Sequence, residues 1–380
     1  MVEGYGQDGM SPLAASVTRR LEEMIRENHL KSGTGLPSER KLAADLEVSR
    51  GIIRAAIKNL TEMGLLEAKR NCRPVVRAPQ KSNGPAGSHV GIWLWPNTSD
   101  FAAVSILRGI QGSDLRQGIR LVVASAPIGD WESTCDAERS FLDSLADEPA
   151  GAGAIVWYLG GERNRPSLER LRRSAVPVVF IDRLPPRGFS ADYVGTNNES
   201  AAMAAVQHLI DLGHRRIGLV TNIDPASSVS EREFGYERAV HAAGLLYDTA
   251  LIQRDSVDDP SGIEGALDGL FSLPDPPTAI FCINDHLALQ VHEALGRREI
   301  GVPEQVSVVG FDGLLRWVPG GGYLTTAEQD FYRMGRLAAE LVIERMTNGP
   351  PEAYTHLLLD APLADHGSTA RPQSLQRRII

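Results

Sequence analysis

The sequence predicts an α/β protein with a small helical head followed by a larger body of doubly wound parallel sheets. Apolar residues recur at helical spacing over residues 42–60, which predicts two short amphipathic helices. From residue 89 onward, short apolar runs alternate with helical stretches, and this alternation is typical of parallel sheets with helices on both faces. Between these regions, residues 78–88 (APQKSNGPAGS) are rich in Pro, Gly and Ser and predict a linker.

Length and composition narrow the class further. At 380 residues the chain should hold two or three compact units, and its 42% hydrophobic and 23% charged residues are typical of a soluble globular protein. No apolar run approaches the ~20 residues that span a bilayer, and no export signal is visible. The three cysteines are far apart, which suits a reducing cytoplasm and gives no metal-binding spacing. We therefore expect a cytoplasmic protein without a metal or cofactor.

Charge is divided unevenly along the chain. Residues 1–80 hold 13 Lys and Arg against 10 Asp and Glu, whereas residues 81–380 hold 26 against 38. The net charge of −9 conceals this asymmetry. A mildly basic head on an acidic body suits a head that binds DNA and a body that does not.

Residues 36–76 predict two short helices, a tight turn and a two-stranded ribbon. Ser38 and Ser49 each stand just before a helix, where a hydroxyl can satisfy a free N–H of the first turn. Arg50 and Arg54 lie four residues apart, on one face of the start of the second helix. Because that part of a recognition helix meets base edges, the arginines predict a DNA-binding helix. The alternative is a buried helical hairpin with solvated arginines.

The head, LPSERKLA followed by VSRGIIRAAIKNLTEMGLLE, resembles the winged helix-turn-helix of GntR-family regulators over about residues 17–76. The resemblance implies a winged-helix domain at residues 11–77 whose partner is double-stranded, palindromic operator DNA. In that family the positions that match Arg40, Arg50 and Arg54 contact DNA, and the wing tip enters the minor groove. The expected DNA-binding residues are Ser38, Arg40, Ser49, Arg50, Gly51, Ile52, Arg54, Asn71 and Arg73.

The body predicts two successive α/β series. The expected strands are residues 90–95, 121–124, 154–158, 176–181, 216–221, 278–283 and 306–311. The expected helices are residues 104–117, 135–145, 167–174, 200–212, 231–243, 263–271, 286–297 and 331–346. Two series imply two lobes within residues 89–365, ahead of a tail at 366–380. We expect the first lobe at about 89–184 and 302–323, and the second at about 185–301 and 324–365.

Polar and aromatic residues stand where predicted strands of the body end. Asp182 and Arg183 end one strand, Asn284 and Asp285 another, and Trp157 lies near the end of a third. In open parallel sheets, ligands bind beyond the carboxyl ends of the strands. Polar groups of these kinds bond hydroxyls, and aromatic rings cover the apolar faces of a sugar. The strand ends therefore predict a pocket for a polyhydroxylated ligand.

Six motifs in order resemble the effector-binding domain of the LacI family, which is similar to periplasmic sugar-binding proteins. They are FIDR, HLIDLGHRRIGLV, EREFGYERAV, IFCINDHLALQVHEAL, VPEQVSVVGFDG and LTTAEQDFYRMGRLAAELVIERM. In that family the matches to Arg232 and Asp285 bind the effector, usually a sugar, and Arg183 and the loop at residues 98–101 often line the cleft. The resemblance also implies a homodimer and a repressor that sugar releases. The expected effector-binding residues are Trp95, Asp100, Phe101, Trp157, Asp182, Arg183, Arg232, Asn284, Asp285 and Trp317.

Each single residue also has a structural interpretation. Asp182 can simply pair with Arg183, Arg232 can be a surface residue of an amphipathic helix, and Asp285 can cap its helix together with Asn284. The ordered series of motifs favours the effector-binding interpretation.

Motifs of the common enzyme classes are missing from the sequence. It contains no G-x-S-x-G turn, no zincin spacing of histidines and no phosphate-binding P-loop. We therefore predict a ligand-controlled transcription regulator that is not an enzyme. Two alternatives stay open: a sugar-binding protein without a regulatory role, and an enzyme with an accessory winged-helix head.

Overall fold

The computed structural model forms two compact units, residues 1–83 and residues 84–380, which are described separately below. The residues it describes are 17–18, 20–21, 24–25, 33–46, 48–62, 66–67, 73–76, 88–94, 100–113, 119–124, 131–147, 151–223, 226–255, 260–314 and 323–372.

The first unit is the head, with two helices and a two-stranded antiparallel ribbon. Its elements are α1 (Glu39–Asp45), α2 (Arg50–Glu62), β1 (Leu66–Glu67) and β2 (Val75–Val76). Both predicted helix caps are confirmed: Ser38 Oγ accepts a hydrogen bond from the Lys41 N–H at 3.2 Å, and Ser49 Oγ accepts one from the Ile52 N–H at 3.4 Å. Each hydroxyl satisfies one of the free N–H groups that begin a helix.

The predicted apolar faces of the head meet in one small core. Its buried members are Val17, Leu21, Leu36, Leu42, Ile53, Ala56, Leu60, Leu66 and Val76. The ribbon closes this core, since Leu66 pairs with Val76 and both side chains are buried. The wing-tip residue Asn71, for which we predicted a DNA contact, lies outside the described residues.

The second unit is the body. Its elements, in chain order, are β3 (His89–Trp93), α3 (Asp100–Gly112), β4 (Arg120–Ala124), α4 (Trp131–Ala146), β5 (Ala152–Val156), α5 (Arg165–Arg173), β6 (Val178–Ile181), β7 (Asp192–Thr196), α6 (Asn198–Asp211), β8 (Ile217–Asn222), α7 (Ser227–Ala242), β9 (Ile252–Asp255), α8 (Pro260–Phe271), β10 (Ala279–Cys282), α9 (Asp285–Arg297), β11 (Ser307–Asp312), β12 (Thr325–Glu328), α10 (Phe331–Asn348), β13 (His356–Leu359) and β14 (Leu363–Ala364). Every predicted strand and helix of the body overlaps one of these.

Two six-stranded sheets define two lobes. The sheet of lobe 1 has the order β13-β7-β6-β5-β3-β4 and is parallel throughout. The sheet of lobe 2 has the order β14-β12-β11-β10-β8-β9, and only β14 runs antiparallel to its neighbour. The predicted class, doubly wound parallel sheets in two lobes, is confirmed.

The predicted division of the body between the lobes is wrong for four elements. β7 and β13 lie in the first sheet, β11 lies in the second, and α10 packs in the core of lobe 1. The chain therefore crosses between lobes after β7, after β12 and again after β13. The misplaced crossings follow from short strands such as β7 (DYVGT) and β12 (TTAE), whose mixed polarity gives no apolar run to predict a strand.

The predicted sheets have helices on both faces, which would bury the strand at residues 121–124, and this is wrong for β4. Val122 and Val123 are 48% and 50% exposed. Because β4 is the last strand of its sheet, it has a neighbour on one side only. Apolar sequence alone does not distinguish such an edge strand from a central one.

Within the described residues, no helix combines the length and apolarity needed to cross a bilayer. Over the same ranges, His, Cys, Asp and Glu side chains nowhere gather in a group of three that would hold a metal ion.

Helices α3 and α10 approach each other at two glycines. A Cβ on Gly335 would collide with the carbonyl oxygen of Ile106, and one on Gly109 would collide with that of Tyr332. The collision would be with backbone, which cannot rotate away as the end of a long side chain can. The absence of side chains at both positions therefore permits this crossing.

We expect Gly335→Ala to lower the free energy of unfolding by ~1–3 kcal/mol, because the methyl group would push α10 away from α3. Gly296→Ala is the matched control, since it lies in α9 with nothing within 4 Å of the added Cβ. Thermal and urea unfolding would measure both variants. Equal stability of the two would contradict the close crossing.

Candidate functional site

Arg232, in the second turn of α7, is the centre of the candidate site. Its guanidinium donates from Nε to Asn198 Oδ1 and from Nη1 to the Ile283 carbonyl, both at 2.8 Å. Nη1 also lies 3.1 Å from Asp312 Oδ1, and the group sits 3.8 Å from the ring centroid of Phe311. Only 5% of Arg232 is exposed, so its interpretation as a surface residue is wrong.

Asp312 connects this arginine to the crossings between the lobes. Its Oδ1 accepts a hydrogen bond from Gln329 Nε2 at 2.7 Å, and Gln329 Oε1 accepts one from Thr196 Oγ1 at 2.5 Å. Thr196 ends β7 of lobe 1, and Gln329 follows β12 of lobe 2. Burial raises the pKa of Asp312, while the positive charge of Arg232 opposes that rise. A continuous polar chain therefore runs from Arg232 to two of the three crossings.

Asn284 and Asp285 were both predicted to bind the effector or to cap α9, and the structure gives them different hydrogen bonds. Asn284 Oδ1 accepts from the Leu287 N–H at 2.8 Å and caps the helix, so the capping role does not belong to Asp285. The Asp285 carboxylate is buried and accepts from Thr326 Oγ1 at 2.6 Å and from the Leu314 N–H at 2.8 Å. Asp285 thus holds the segment after β11 against β12.

Asp182 and Arg183 follow β6 of lobe 1, and both are buried. Asp182 has a φ of 59°, a left-handed conformation that costs a non-glycine residue about 1–2 kcal/mol. The charge of Asp182 contributes to a raised pKa at both Glu231 and Asp312, where burial is the larger cause. Asp182 of lobe 1 therefore lies within electrostatic range of Glu231 and Asp312 of lobe 2, and Asp312 pairs directly with Arg232.

The two lobes also touch directly beside this cluster. The Leu184 N–H, just after β6, donates to Ser227 Oγ at the start of α7 at 2.9 Å. This bond brings the carboxyl end of a lobe 1 strand against the first turn of a lobe 2 helix. We call the region formed by Asp182, Glu231, Arg232 and Asp312 the interlobe junction.

The aromatic residues predicted for the site have different positions. Trp157 is 4% exposed and belongs to the core of lobe 1, with its ring centroid 6.4 Å from that of Phe331. Its buried Nε1 has no hydrogen-bond partner among the described residues. Phe101 is 40% exposed in the first turn of α3. Trp95, Trp317 and the side chain of Asp100 lie outside the described residues.

Sequence reasoning missed Glu231 of the junction and two residues that bond to junction side chains, Asn198 and Gln329. Asn198 donates from Nδ2 to Glu231 Oε2 at 2.9 Å while its own oxygen accepts from Arg232. The glutamate adjoining the arginine in EREFG was the available signal for Glu231. Asn198 and Gln329 adjoin the unpredicted strands β7 and β12, so their sequence context gave no signal.

A buried glutamate supports the loop that follows Trp157. Glu138 of α4 accepts from the Leu159 and Gly160 N–H groups at 2.6 and 2.7 Å, and from Asn164 Nδ2 at 2.8 Å. Burial raises the pKa of Glu138 to about 7, and these hydrogen bonds oppose the rise. One side chain therefore fixes the loop that leaves β5 at its carboxyl end.

In the head, the predicted DNA-contacting arginines Arg40, Arg50 and Arg54 are all exposed. Arg54 Nε donates to Glu39 Oε2 at 2.8 Å, but both side chains are more than one third exposed, so water screens this pair. Ile52 is half-buried against the head core. Its side chain therefore packs inward, which speaks against the base contact predicted for it.

Comparison with known families defines the class of the protein. Residues 13–75 match the model for bacterial regulatory proteins of the gntR family, and residues 206–369 match the model for the periplasmic binding protein-like domain. The chain is a transcriptional regulator that joins a GntR-type DNA-binding head to a periplasmic binding protein-like body. Both resemblances drawn from the sequence are confirmed.

Curated relatives are similar along most of the chain. The transcriptional repressor CytR of Escherichia coli strain K12 is 28% identical over 317 residues, covering 83% of this chain and 89% of CytR. The transcriptional repressor PurR of Vibrio atlanticus is 28% identical over 258 residues, covering 68% of this chain and 74% of PurR.

Solved structures share the fold. A LacI-family regulator from Enterococcus faecium with bound ribose has a TM-score of 0.63 at 22% identity, over 75% of this chain and all of that one. The complex of the regulator CelR with cellobiose has a TM-score of 0.63 at 24% identity, over 88% of this chain and all of that one.

Glu138→Gln removes the buried ionisable group beneath the loop after β5. Because the folded pKa of about 7 exceeds the ordinary value of 4.5, the folded state binds the proton more tightly than the unfolded chain. The resulting stabilisation is complete at low pH and is lost as pH rises toward 7. We expect the stability difference to shift toward the variant by up to about 3 kcal/mol between about pH 5 and about pH 8.

The matched control is Glu132→Gln, an exposed position at the start of the same helix, which should show no such shift. Thermal melting of the three proteins across that pH range is the measurement. A constant difference between wild type and Glu138→Gln would contradict the burial argument.

Proposed function

We propose that this protein is a transcriptional repressor controlled by a small polyhydroxylated ligand, most simply a sugar, that binds at the interlobe junction. The proposal rests on the cluster that Asp182, Glu231 and Asp312 form with Arg232. Carboxylates accept hydrogen bonds from ligand hydroxyls, and the guanidinium donates to hydroxyl or ring oxygens. Trp157 directly follows β5, at the carboxyl end of the lobe 1 sheet, and a ligand oxygen that reached its buried Nε1 would satisfy a group that is costly to leave unpaired.

The excess of carboxylates favours a neutral ligand over an anionic one. An added anion would be repelled by the negative charge of these three acidic groups. Two structural neighbours support a sugar, since one holds ribose and the other cellobiose. The proposed effector set keeps Asp182, Arg183 and Arg232 and adds Glu231. Asp285 enters it as a residue that positions the loop after β11, because its carboxylate is already bonded.

Control would work through closure of the lobes. A ligand at the junction would contact both lobes beside the crossings. One crossing follows β12, where Gln329 donates a hydrogen bond to Asp312 of the junction. It can change DNA affinity only through a different affinity for the DNA-competent and DNA-incompetent arrangements. A coupling free energy of ~1–3 kcal/mol would give several-fold to about hundredfold control. Binding to operator DNA would require the protein to be in the cytoplasm.

The protein would act as a homodimer on palindromic half-sites about 10 bp apart or multiples of that spacing. Lobe 1 offers an apolar surface for such pairing. Val122 and Val123 are exposed on the edge strand β4, and Phe101 and Val104 are exposed one helical turn apart on α3. An unpaired strand edge beside exposed apolar side chains is a common site of association.

Arg50→Ala and Arg54→Ala should each weaken operator binding by about 10–100-fold, the range expected for a contact to a base edge. Arg173→Ala is the control, an exposed arginine of the body. Fluorescence anisotropy with promoter fragments from the protein's own genome would measure the affinities. Unchanged affinity in both head variants would argue against α2 as the recognition helix.

Arg232→Lys and Asp182→Asn should remove the rise in melting temperature that a binding sugar causes, while DNA binding persists. Lysine keeps a positive charge beside Asp312, so the change avoids leaving a buried carboxylate unpaired. Arg238→Lys, an exposed position on the same helix, is the control. A full ligand response in both junction variants would place the effector elsewhere.

Val123→Glu should turn the dimer into a monomer, because it puts a charge into the apolar edge of β4. Leu246→Glu, at an exposed position of lobe 2, is the control. Sedimentation velocity would distinguish the species. A dimer that survives Val123→Glu combined with Val104→Glu would require another interface.

Two other functions remain distinguishable by experiment. A sugar-binding protein without a regulatory role would bind the sugar but no promoter fragment. An enzyme with an accessory head would turn the sugar over, which mass spectrometry of incubated sugar would detect. The match of the head to the gntR-family model favours the repressor over the first alternative, and the similarity to CytR and PurR, which extends over the body, favours it over the second.

A further inference from the structure

A pocket lies in lobe 1, away from the interlobe junction. It is a cavity of about 320 Å³ at the amino ends of β6 and β7, beside the C-terminal ends of α5 and α10. The junction lies at the opposite, carboxyl end of the same two strands, where Asp182 and Thr196 are found. The volume is at the lower end of the range for ligand pockets, ~300–1,000 Å³. It fits a small molecule.

The walls of this pocket are mostly apolar and flat. Three prolines, Pro177, Pro350 and Pro351, contribute rigid rings, and Phe189 and Tyr354 contribute aromatic ones. Phe189 is buried at 5% exposure, whereas Tyr354 is 42% exposed. Rigid rings around a small volume suit a planar apolar group, which gains contact area and loses little conformational freedom on binding.

Two of the charged groups that line the pocket are already bonded to each other. Arg345 donates to Asp192 from Nε at 2.9 Å and from Nη2 at 3.1 Å. The Asp192 carboxylate also accepts from the Thr355 N–H at 2.7 Å, and Arg345 Nη1 donates to Glu344 at 2.9 Å. This buried pair builds the floor of the pocket and carries no net charge toward a ligand.

Arg172 is the remaining charge of the lining. Its guanidinium lies 4.0 Å from the centroid of the Phe189 ring, and Nη2 donates to the Ser190 carbonyl at 2.9 Å. These contacts fix the plane of the group at the mouth of the pocket. Glu169 lies 3.5 Å from Nη1, but both side chains are exposed, so a ligand carboxylate can replace this screened contact.

We propose that the pocket binds a small aromatic monocarboxylate. Its ring lies among the prolines, Phe189 and Tyr354, and its carboxylate pairs with the guanidinium of Arg172. A guanidinium held in a fixed plane matches a carboxylate in a bidentate arrangement. This ligand is distinct in charge and shape from the neutral polyol proposed for the interlobe junction, and the site does not depend on that proposal.

Benzoate is the smallest probe of this chemistry, and benzamide is its uncharged analogue. Isothermal titration of the full chain should give saturable binding of benzoate and at least tenfold weaker binding of benzamide. Arg172→Gln should weaken benzoate binding about tenfold or more, the loss expected for one charge-assisted hydrogen-bonding partner. Ser190→Phe, which fills the pocket from an exposed position, should abolish binding.

Matched controls separate this site from its surroundings. Arg173→Gln changes the neighbouring exposed arginine, which does not line the pocket, and should bind benzoate as wild type does. Arg232→Lys should also bind benzoate normally, because the interlobe junction is a separate site. The proposal is overturned by the absence of saturable benzoate binding in the millimolar range. It is also overturned if benzamide binds equally well, or if Arg172→Gln binds benzoate unchanged.

Discussion

A buried guanidinium must have negative charge beside it, and the body of this protein is arranged around that requirement at Arg232. Asp312 supplies the charge, Phe311 supplies a ring face, and Asn198 and the Ile283 carbonyl take further N–H groups. Removing one partner of such a pair would cost ~3–5 kcal/mol, since the other would stay buried and uncompensated. The pair therefore fixes α7 against the ends of β10 and β11.

The same pair gives the junction its electrostatic character and its link to the crossings. Asp182 approaches from lobe 1, and Glu231 adjoins the arginine, so acidic groups outnumber basic ones. Gln329 carries the network from Asp312 to Thr196, across the boundary between the lobes. A group that neutralised or bridged these carboxylates would act on the crossings themselves. That is the physical reason for proposing the ligand here.

The sequence predicted the head and the alternating elements of the body because both rest on local signals. Ser38 and Ser49 stand next to the helices they cap, and the apolar runs of β3 and β5 lie in consecutive residues. Arg232 was also identified, through its motif. The burial of Arg232 and its bonding partners were not predicted, because Asn198 and Asp312 lie far from it in sequence.

What the sequence did not predict depends on long-range pairing. Short strands of mixed polarity, such as β7 and β12, form only because a neighbouring strand supplies hydrogen bonds, and they determine where the chain changes lobe. Asp285 shows the same limit. Its motif predicted an effector contact, but not the hydrogen bonds that Thr326 and the Leu314 N–H donate to its carboxylate. Such partners become apparent only once the strands are paired.

The most direct test of the account is operator affinity measured by fluorescence anisotropy with and without a sugar that raises the melting temperature. Ribose and cellobiose are the first candidates, followed by other mono- and disaccharides. The account predicts that such a sugar changes the affinity of wild type by several-fold to about hundredfold, and leaves Arg232→Lys unaffected. A sugar that binds wild type tightly yet leaves its operator affinity unchanged would contradict it.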